Sequence, residues 1–245
     1  MKLYGLIGKT LSHSFSKGFF AEKFAATGVT DCAYENFELP SIDALQSLLD
    51  ARQELCGLNV TIPYKEMVLP FLNEQTPAVK AIGACNCIKI ENGKLTGYNT
   101  DAPGFKATLE PRLKAQHTHA LVFGSGGASK AIQYILEELR IAYKVVSRKE
   151  VTGQLGYENI DDVVLEKYKL LINTTPLGMS PNVDNDPPIP YEYLTPEHLL
   201  YDVIYNPAET KFLRKGRERG AATCNGHEML VNQAEESWRI WNNGN

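Results

Sequence analysis

Ala120-Leu-Val-Phe-Gly-Ser-Gly-Gly-Ala-Ser-Lys130 stands at the middle of the chain and decides how the rest is read. Leu121-Val122-Phe123 predicts a short buried strand. Gly124, Gly126 and Gly127 predict a tight turn, and a helix opens at about Ala128. Behind it Ile132, Ile135, Leu136 and Leu139 fall on one face, at the spacing of an amphipathic helix. A bare glycine cluster fits a ligand-free turn equally well. A strand before it and a helix after it are the context of a phosphate cradle, where glycine lets backbone approach and free N–H groups favour an anion. Ser129 takes the third small position of the pattern, where helix and strand pack closely. Gly124, Ser125, Gly126, Gly127 and Ala128 are therefore the candidate dinucleotide-binding residues.

The composition permits this reading. The chain of 245 residues is 43% hydrophobic and 22% charged, which suits one large or two modest α/β domains. A net charge of −4 leaves no basic footprint for nucleic acid or an anionic membrane. No apolar run approaches the ~20 residues of a membrane-spanning helix. Five cysteines, an odd number without a C-x-x-C pair, predict reduced thiols, a cytoplasmic setting and no metal site. Cys85 and Cys87 are expected on one strand, facing the same side.

More than a hundred residues precede the glycine turn, so another domain must lie N-terminal to it. Leu3–Ile7, Tyr34–Leu39 and Leu55–Thr61 read as its strands. A helix from about Ser16 carries Phe19, Phe20 and Phe24 on one face, and Ser41 caps a second helix. Glu91-Asn92-Gly93 is a hairpin turn between 85–90 and 94–98. Alternating strands and helices predict a mostly parallel sheet with an antiparallel edge. A connecting helix is expected from Phe105 to Leu113. The expected division is a substrate-binding domain over 1–101, joined by a C-terminal helix at about 228–245, and a Rossmann dinucleotide-binding domain over 102–227. His117 and His119 are expected in an exposed polar linker, and the segment between Arg148 and Leu170, with Gly153 and Gly156, as a shortened crossover.

The end of the second strand of such a domain meets the adenosine ribose. An acidic residue there suits NAD and repels the 2′-phosphate of NADP. This chain has Ser147, Arg148 and Lys149 instead, and a guanidinium forks onto phosphate. NADP is the expected cofactor.

Four polar stretches fall at strand ends, where open α/β sheets bind ligands: 11–16, 59–65, 83–86 and 97–101. Their hydroxyls, amides, one ammonium and one carboxylate suit a small polyhydroxy acid. With them the chain resembles the shikimate dehydrogenases, NADP-dependent enzymes of chorismate and aromatic amino-acid biosynthesis. The resemblance runs nearly full length, through S-H-S-x-S at 12–16, N-V-T-I-P-x-K at 59–65, G-A-x-N at 83–86 and N-T-D at 99–101. It continues through G-x-G-G-A-S at 124–129, N-T-T-P-L-G-M at 173–179, D-V-I-Y-N-P at 202–207 and N-G-x-x-M-L-V-x-Q at 225–233.

The resemblance implies that Lys65 and Asp101 form the catalytic dyad and that Ser14 and Ser16 hold the substrate carboxylate. Asn59, Thr61, Asn86 and Gln233 would bind hydroxyls, Tyr205 would line the substrate side, and Val203 and Gly226 would lie near the nicotinamide. Ser12 and His13 are read as structural. The implied reaction is reversible reduction of 3-dehydroshikimate by NADPH, with domain closure on cofactor. Departures from the family pattern include Ser147, Lys149, Cys87, Ala102 and the His227-Glu228 pair, the last bringing negative charge near the cofactor mouth. A relative that oxidises quinate or uses NAD is the neighbouring alternative, and a non-catalytic ligand sensor the alternative from another class. Monomer and homodimer are both compatible with the sequence.

Overall fold

Alternation of buried residues along the first strand sets the architecture. In β1 (Lys2–Gly8), Leu3 and Ile7 enter one core, while Tyr4 and Leu6 enter another on the opposite face. A sheet apolar on both faces must be covered on both. The computed structural model describes residues 1–12, 14–147 and 155–242, and within them helices cover each face.

The first part of the chain runs β1, α1 (Phe15–Thr27), β2 (Cys32–Glu38), α2 (Leu45–Ala51), β3 (Leu55–Val60), α3 (Tyr64–Met67), β4 (Glu74–Gln75), α4 (Pro77–Ile82), β5 (Cys87–Glu91) and β6 (Lys94–Tyr98). The sheet order is β2-β1-β3-β5-β6-β4. β2, β1 and β3 are mutually parallel, β5 is antiparallel to both neighbours, and β6 runs parallel to β4. The antiparallel strand is thus internal and not at the edge: the Asn92-Gly93 turn, both residues at positive φ, folds β6 back outside β5. The edge strand β4 has only two residues and no period for a sequence reading to detect. Ser41 caps as expected, accepting from Asp43 N, but a 3₁₀ turn at Ile42–Ala44 intervenes before α2.

Cys85 and Cys87 do not share a face. Cys85 precedes β5 and joins the core of Leu58 and Ile88, whereas Cys87 joins that of Tyr4 and Tyr34. The chain turns between them, so strand alternation does not apply. Among the described residues no cluster of His, Cys, Asp or Glu could hold a metal, and no helix is long and apolar enough to cross a membrane.

The second part runs α5 (Asp101–Leu109), β7 (His119–Phe123), α6 (Gly127–Glu138), β8 (Ala142–Ser147), β9 (Leu155–Gly156), α7 (Asp162–Lys167), β10 (Leu170–Asn173), β11 (Leu199–Asp202), α8 (Lys211–Glu218), β12 (Ala222–Cys224) and α9 (His227–Asn242). Its sheet is parallel throughout, in the order β12-β11-β10-β7-β8-β9. That order reverses direction between β7 and β10, which is the switch point of a doubly wound sheet. β10 and β11 are buried at every residue, as strands covered on both faces require. The crossover after β8 holds β9, a 3₁₀ turn at Tyr157–Asn159 and the six-residue α7.

The connecting helix begins at Asp101, four residues before its expected start. Pro103 falls in its first turn, where an N–H has no intrahelical partner to lose, so proline does not break it. By internal contacts the chain forms two units, residues 1–100 with 234–245 and residues 101–233. Their division in the chain is the Thr100–Asp101 peptide and, again, a point inside α9.

Candidate active site

In the first unit, the carboxyl ends of β3 and β6 and the start of β5 converge with α9. Asn59, the penultimate residue of β3, is buried, with Oδ1 accepting from Tyr34 Oη at 2.9 Å. Its Nδ2 donates to the Asn86 carbonyl at 3.3 Å and to Ser237 Oγ at 2.8 Å. Asn86 grips Thr100 through Oδ1, which accepts from Thr100 N at 2.6 Å, and through Nδ2, which donates to Thr100 Oγ1 at 3.0 Å. The structure therefore brings Asn59 and Asn86 into one network.

Ser14 and Ser16 sit at the start of α1. Ser14 is its N-cap, yet its hydroxyl caps nothing and is a buried oxygen with no partner among the described residues. An orphaned hydroxyl at the positive end of a 13-residue helix suits an anionic group. Ser16 is buried in the first turn of the same helix. Thr61 N donates to Ile7 O at 3.0 Å, which anchors the loop after β3. Lys65 is half-buried on α3, and its carbonyl accepts from Cys85 N at 2.7 Å. The buried neighbour Tyr64 donates to Leu39 O at 2.6 Å, so this four-residue helix is tied down at its first two residues.

In the second unit the turn after β7 has the features of an anion cradle. Gly124 takes φ +103°, and a Cβ there would lie 2.7 Å from Thr174 Oγ1. Gly126, the N-cap of α6, has open space where a Cβ would stand, no side-chain cap and no acidic residue in the turn that follows. Gly127 and Ala128 begin that helix behind Ser125, and its first N–H groups have no intrahelical acceptor. Ser129 is fully buried and donates to Gly124 O at 2.7 Å, which locks helix to turn. Thr174, from the end of β10, donates to Phe123 O at 2.6 Å and closes the switch point from the other side. Open backbone donors, a positive helix end and no acidic residue in its first turn fit the diphosphate of a dinucleotide.

The loops after β10 and β11 brace each other. Val203 N donates to Asn173 O at 3.0 Å, and Asn173 Nδ2 donates to Asp202 Oδ1 at 3.1 Å. Asp202 also accepts from Ile204 N and from Thr210 Oγ1. Burial pushes its carboxyl up to about 6, against those hydrogen bonds. Gly226 passes so close to Val203 O that a Cβ would collide with it, and Gly226 N donates to Ile204 O at 2.9 Å. Val203 and Gly226 are thereby held together. Tyr205 is half-buried, and burial raises its hydroxyl pKa. Gln233 is buried on α9 and donates to Leu230 O at 2.9 Å. Asp101 is the buried first residue of α5. Glu228 is paired with Arg112 at 2.8 Å, which offsets its charge.

Ser147 is the half-buried last residue of β8. Arg148, Lys149, Gly153 and His13 lie outside the described residues. The expected exposed linker is corrected: His117 is buried, its Nδ1 accepting from Lys114 N and its Nε2 facing Glu197 O at 3.1 Å. His119 is the first residue of β7 and packs edge-on against Tyr168. Two polar residues are not a linker when the fold sets Glu197 O against one and the Tyr168 ring against the other, and both partners come from distant sequence. Tyr34, Thr100 and Ser237 were missed as site residues for the same reason. Ser237 in particular reads as one more small residue on an amphipathic helix.

Comparison with known proteins agrees with this geometry. Residues 6–88 match the family described as "Shikimate dehydrogenase substrate binding domain". The "Shikimate dehydrogenase (NADP(+))" of Carboxydothermus hydrogenoformans is 38% identical over 98% of this chain and 91% of that protein. The structure of shikimate 5-dehydrogenase from Thermus thermophilus in complex with NADP(H) and shikimate superposes with TM-score 0.87 at 29% identity, covering 99% of this chain and 94% of that one. The quinate dehydrogenase of Corynebacterium glutamicum in complex with NAD gives TM-score 0.86 at 29% identity, covering 98% and 93%.

Proposed function

Because the chain belongs to the shikimate dehydrogenase family, we propose that it catalyses the reversible NADPH-dependent reduction of 3-dehydroshikimate to shikimate. The observation that carries this reading is the joint presence of a buried amide and hydroxyl network in one unit and a dinucleotide cradle in the other. Bound NADPH supplies a hydride to the ring ketone. Lys65 acts as an ammonium aimed at the ketone oxygen: it stabilises the negative charge that grows there and then gives up a proton. Asp101 orients Lys65 and takes part in moving that proton; in the oxidative direction the pair accepts it. Ser14 and Ser16 bind the substrate carboxylate at the start of α1. Asn59, Thr61, Asn86 and Gln233 bind its hydroxyls, with Tyr205 lining the substrate side.

The backbone of Gly124, Ser125, Gly126, Gly127 and Ala128 would hold the cofactor diphosphate, with Val203 and Gly226 toward the nicotinamide. Ser147, Arg148 and Lys149 receive the adenosine 2′-phosphate. A cytoplasmic monomer or homodimer completes the reading, with five free cysteines in keeping with a reducing compartment.

The test is the initial rate of shikimate oxidation at alkaline pH with NADP and with NAD, with quinate alongside. Turnover with shikimate and NADP is expected. Comparable rates with quinate or NAD would move the protein to the broader-specificity relative, and shikimate binding without turnover to the sensor. Lys65→Ala is expected to lower kcat by about 10²–10⁴. Unchanged turnover and shikimate affinity in that variant would remove Lys65 from the dyad.

A further inference from the structure

Four polar side chains of the first unit close into a ring. Asn59 Nδ2 donates to Ser237 Oγ at 2.8 Å, Ser237 Oγ lies 3.3 Å from Thr100 Oγ1, and Asn86 Nδ2 donates to Thr100 Oγ1 at 3.0 Å. The Asn86 carbonyl, accepting from Asn59 at 3.3 Å, completes the circuit. Asn59, Ser237, Thr100 and Asn86 are 4%, 0%, 0% and 3% exposed, so these partners are not exchanged with water.

The ring decides what Asn59 can offer. An asparagine has two N–H donors and one oxygen with two lone pairs. Both donors are engaged, one by Ser237 and one by Asn86, and Tyr34 Oη occupies one lone pair of Oδ1. What remains is a single acceptor. A flipped amide would set Oδ1 against the Asn86 carbonyl, acceptor against acceptor, so the orientation is determined by the ring.

The geometry points to Ser237 as a positioning residue: from α9 its hydroxyl takes the second Asn59 donor, so the amide turns only an acceptor toward the substrate and reads a hydroxyl as a donor. This rests on the reading that Asn59 binds a substrate hydroxyl. Without the Ser237 oxygen, Asn59 keeps a buried N–H with no partner, and the amide is no longer held at three points. The substrate then meets an acceptor held only through Asn86 and Tyr34, with an unsatisfied N–H beside it.

The experiment is steady-state kinetics of the full-length protein with shikimate and NADP, for wild type, Ser237→Ala, Asn59→Ala and the double variant. Ser237→Ala is expected to raise the KM for shikimate about tenfold, with kcat and the KM for NADP unchanged. In the Asn59→Ala background the same substitution is expected to add nothing, since the two act as one unit. Additive effects, an unchanged shikimate KM, or an equal rise in both KM values would overturn the inference. If Asn59→Ala itself left the shikimate KM unchanged, the substrate-binding role of Asn59 would fall, and the inference with it. If Ser237→Ala raised no such KM while Asn59→Ala did, only the inference would fall. Ser237→Cys, slightly larger than serine but with a weak acceptor in the same place, covers the case of poor folding, with a rise in the shikimate KM again expected.

Discussion

Single side chains in this protein draw their roles from what else they touch. Asn59 and Asp202 are both buried polar residues at the ends of parallel strands, yet they serve opposite ends. Asn59 leaves one lone pair of Oδ1 unused by the protein, the acceptor proposed for substrate, while Asp202 uses both oxygens to brace the loops after β10 and β11. The match at D-V-I-Y-N-P thus contains a bracing residue among residues proposed for the site, which sequence reading does not separate. Arg148 is the converse case, for its proposed role comes from charge alone. Arg148→Ala is expected to raise the KM for NADP ten- to hundredfold, roughly the 1.5–3 kcal/mol of a charge-assisted hydrogen bond, and to leave the KM for NAD unchanged. Steady-state kinetics with both cofactors checks this, and equal effects on the two would detach Arg148 from the 2′-phosphate.

At the scale of elements, α9 shows how an ordinary amphipathic helix becomes central. Its periodicity is visible in the sequence, and Ala234, Trp238 and Trp241 were legible as apolar. What the pattern did not contain is its fit to the sheet. Trp241 stacks on Tyr4 with centroids 4.8 Å apart and donates from Nε1 to Ile88 O at 3.0 Å. The indole lies where a Cβ on Gly57 would stand. Gly57→Ala is therefore expected to lower stability by about 1–3 kcal/mol through overpacking. A fall in Tm by calorimetry or circular dichroism is the measurement, and an unchanged Tm would mean that the indole moves aside freely. The start of α5 carries a related lesson. The connecting helix is expected from Phe105, but proline in a first turn costs no hydrogen bond, so the helix reaches back through Pro103 to Asp101.

For the whole molecule, stability should depend on pH through buried groups. His117 and His198 build the same clasp: each Nδ1 accepts the backbone N–H three residues earlier, from Lys114 and Thr195, both at 3.0 Å. Each Nε2 then donates, His117 to Glu197 O and His198 to Leu165 O, which specifies neutral imidazoles. Burial first, then nearby Lys114 and Lys169, push both below the ordinary 6.5. Below that pH the unfolded chain binds protons that the folded chain resists, so their contribution is present above about 6.5 and lost as pH falls. Asp202 acts in the opposite sense. Its carboxyl is raised from 3.8 to about 6, so across that window its effect on stability diminishes as pH rises and partly offsets the histidines. Urea unfolding between pH 7.5 and 5.5 should show stability falling toward acid. His117→Ala should cost about 1–3 kcal/mol at pH 7.5 and flatten that fall. A steeper acid loss in the variant would contradict the clasp.

The sequence by itself determined the two α/β sheets, the glycine turn, the hairpin and the C-terminal helix. These rest on local rules: period-two and period-3.6 burial, the φ freedom of glycine, and caps within a few residues of what they cap. It also carried the family resemblance, through short motifs in order. Only the tertiary structure decided that β5 lies inside the first sheet, that Cys85 and Cys87 face different cores, that His117 is buried, and that Ser237 stands between Asn59 and Thr100. Each of these depends on partners from distant parts of the chain. A buried polar group is satisfied by whatever donor or acceptor the fold carries to it, and no local period records which one that is.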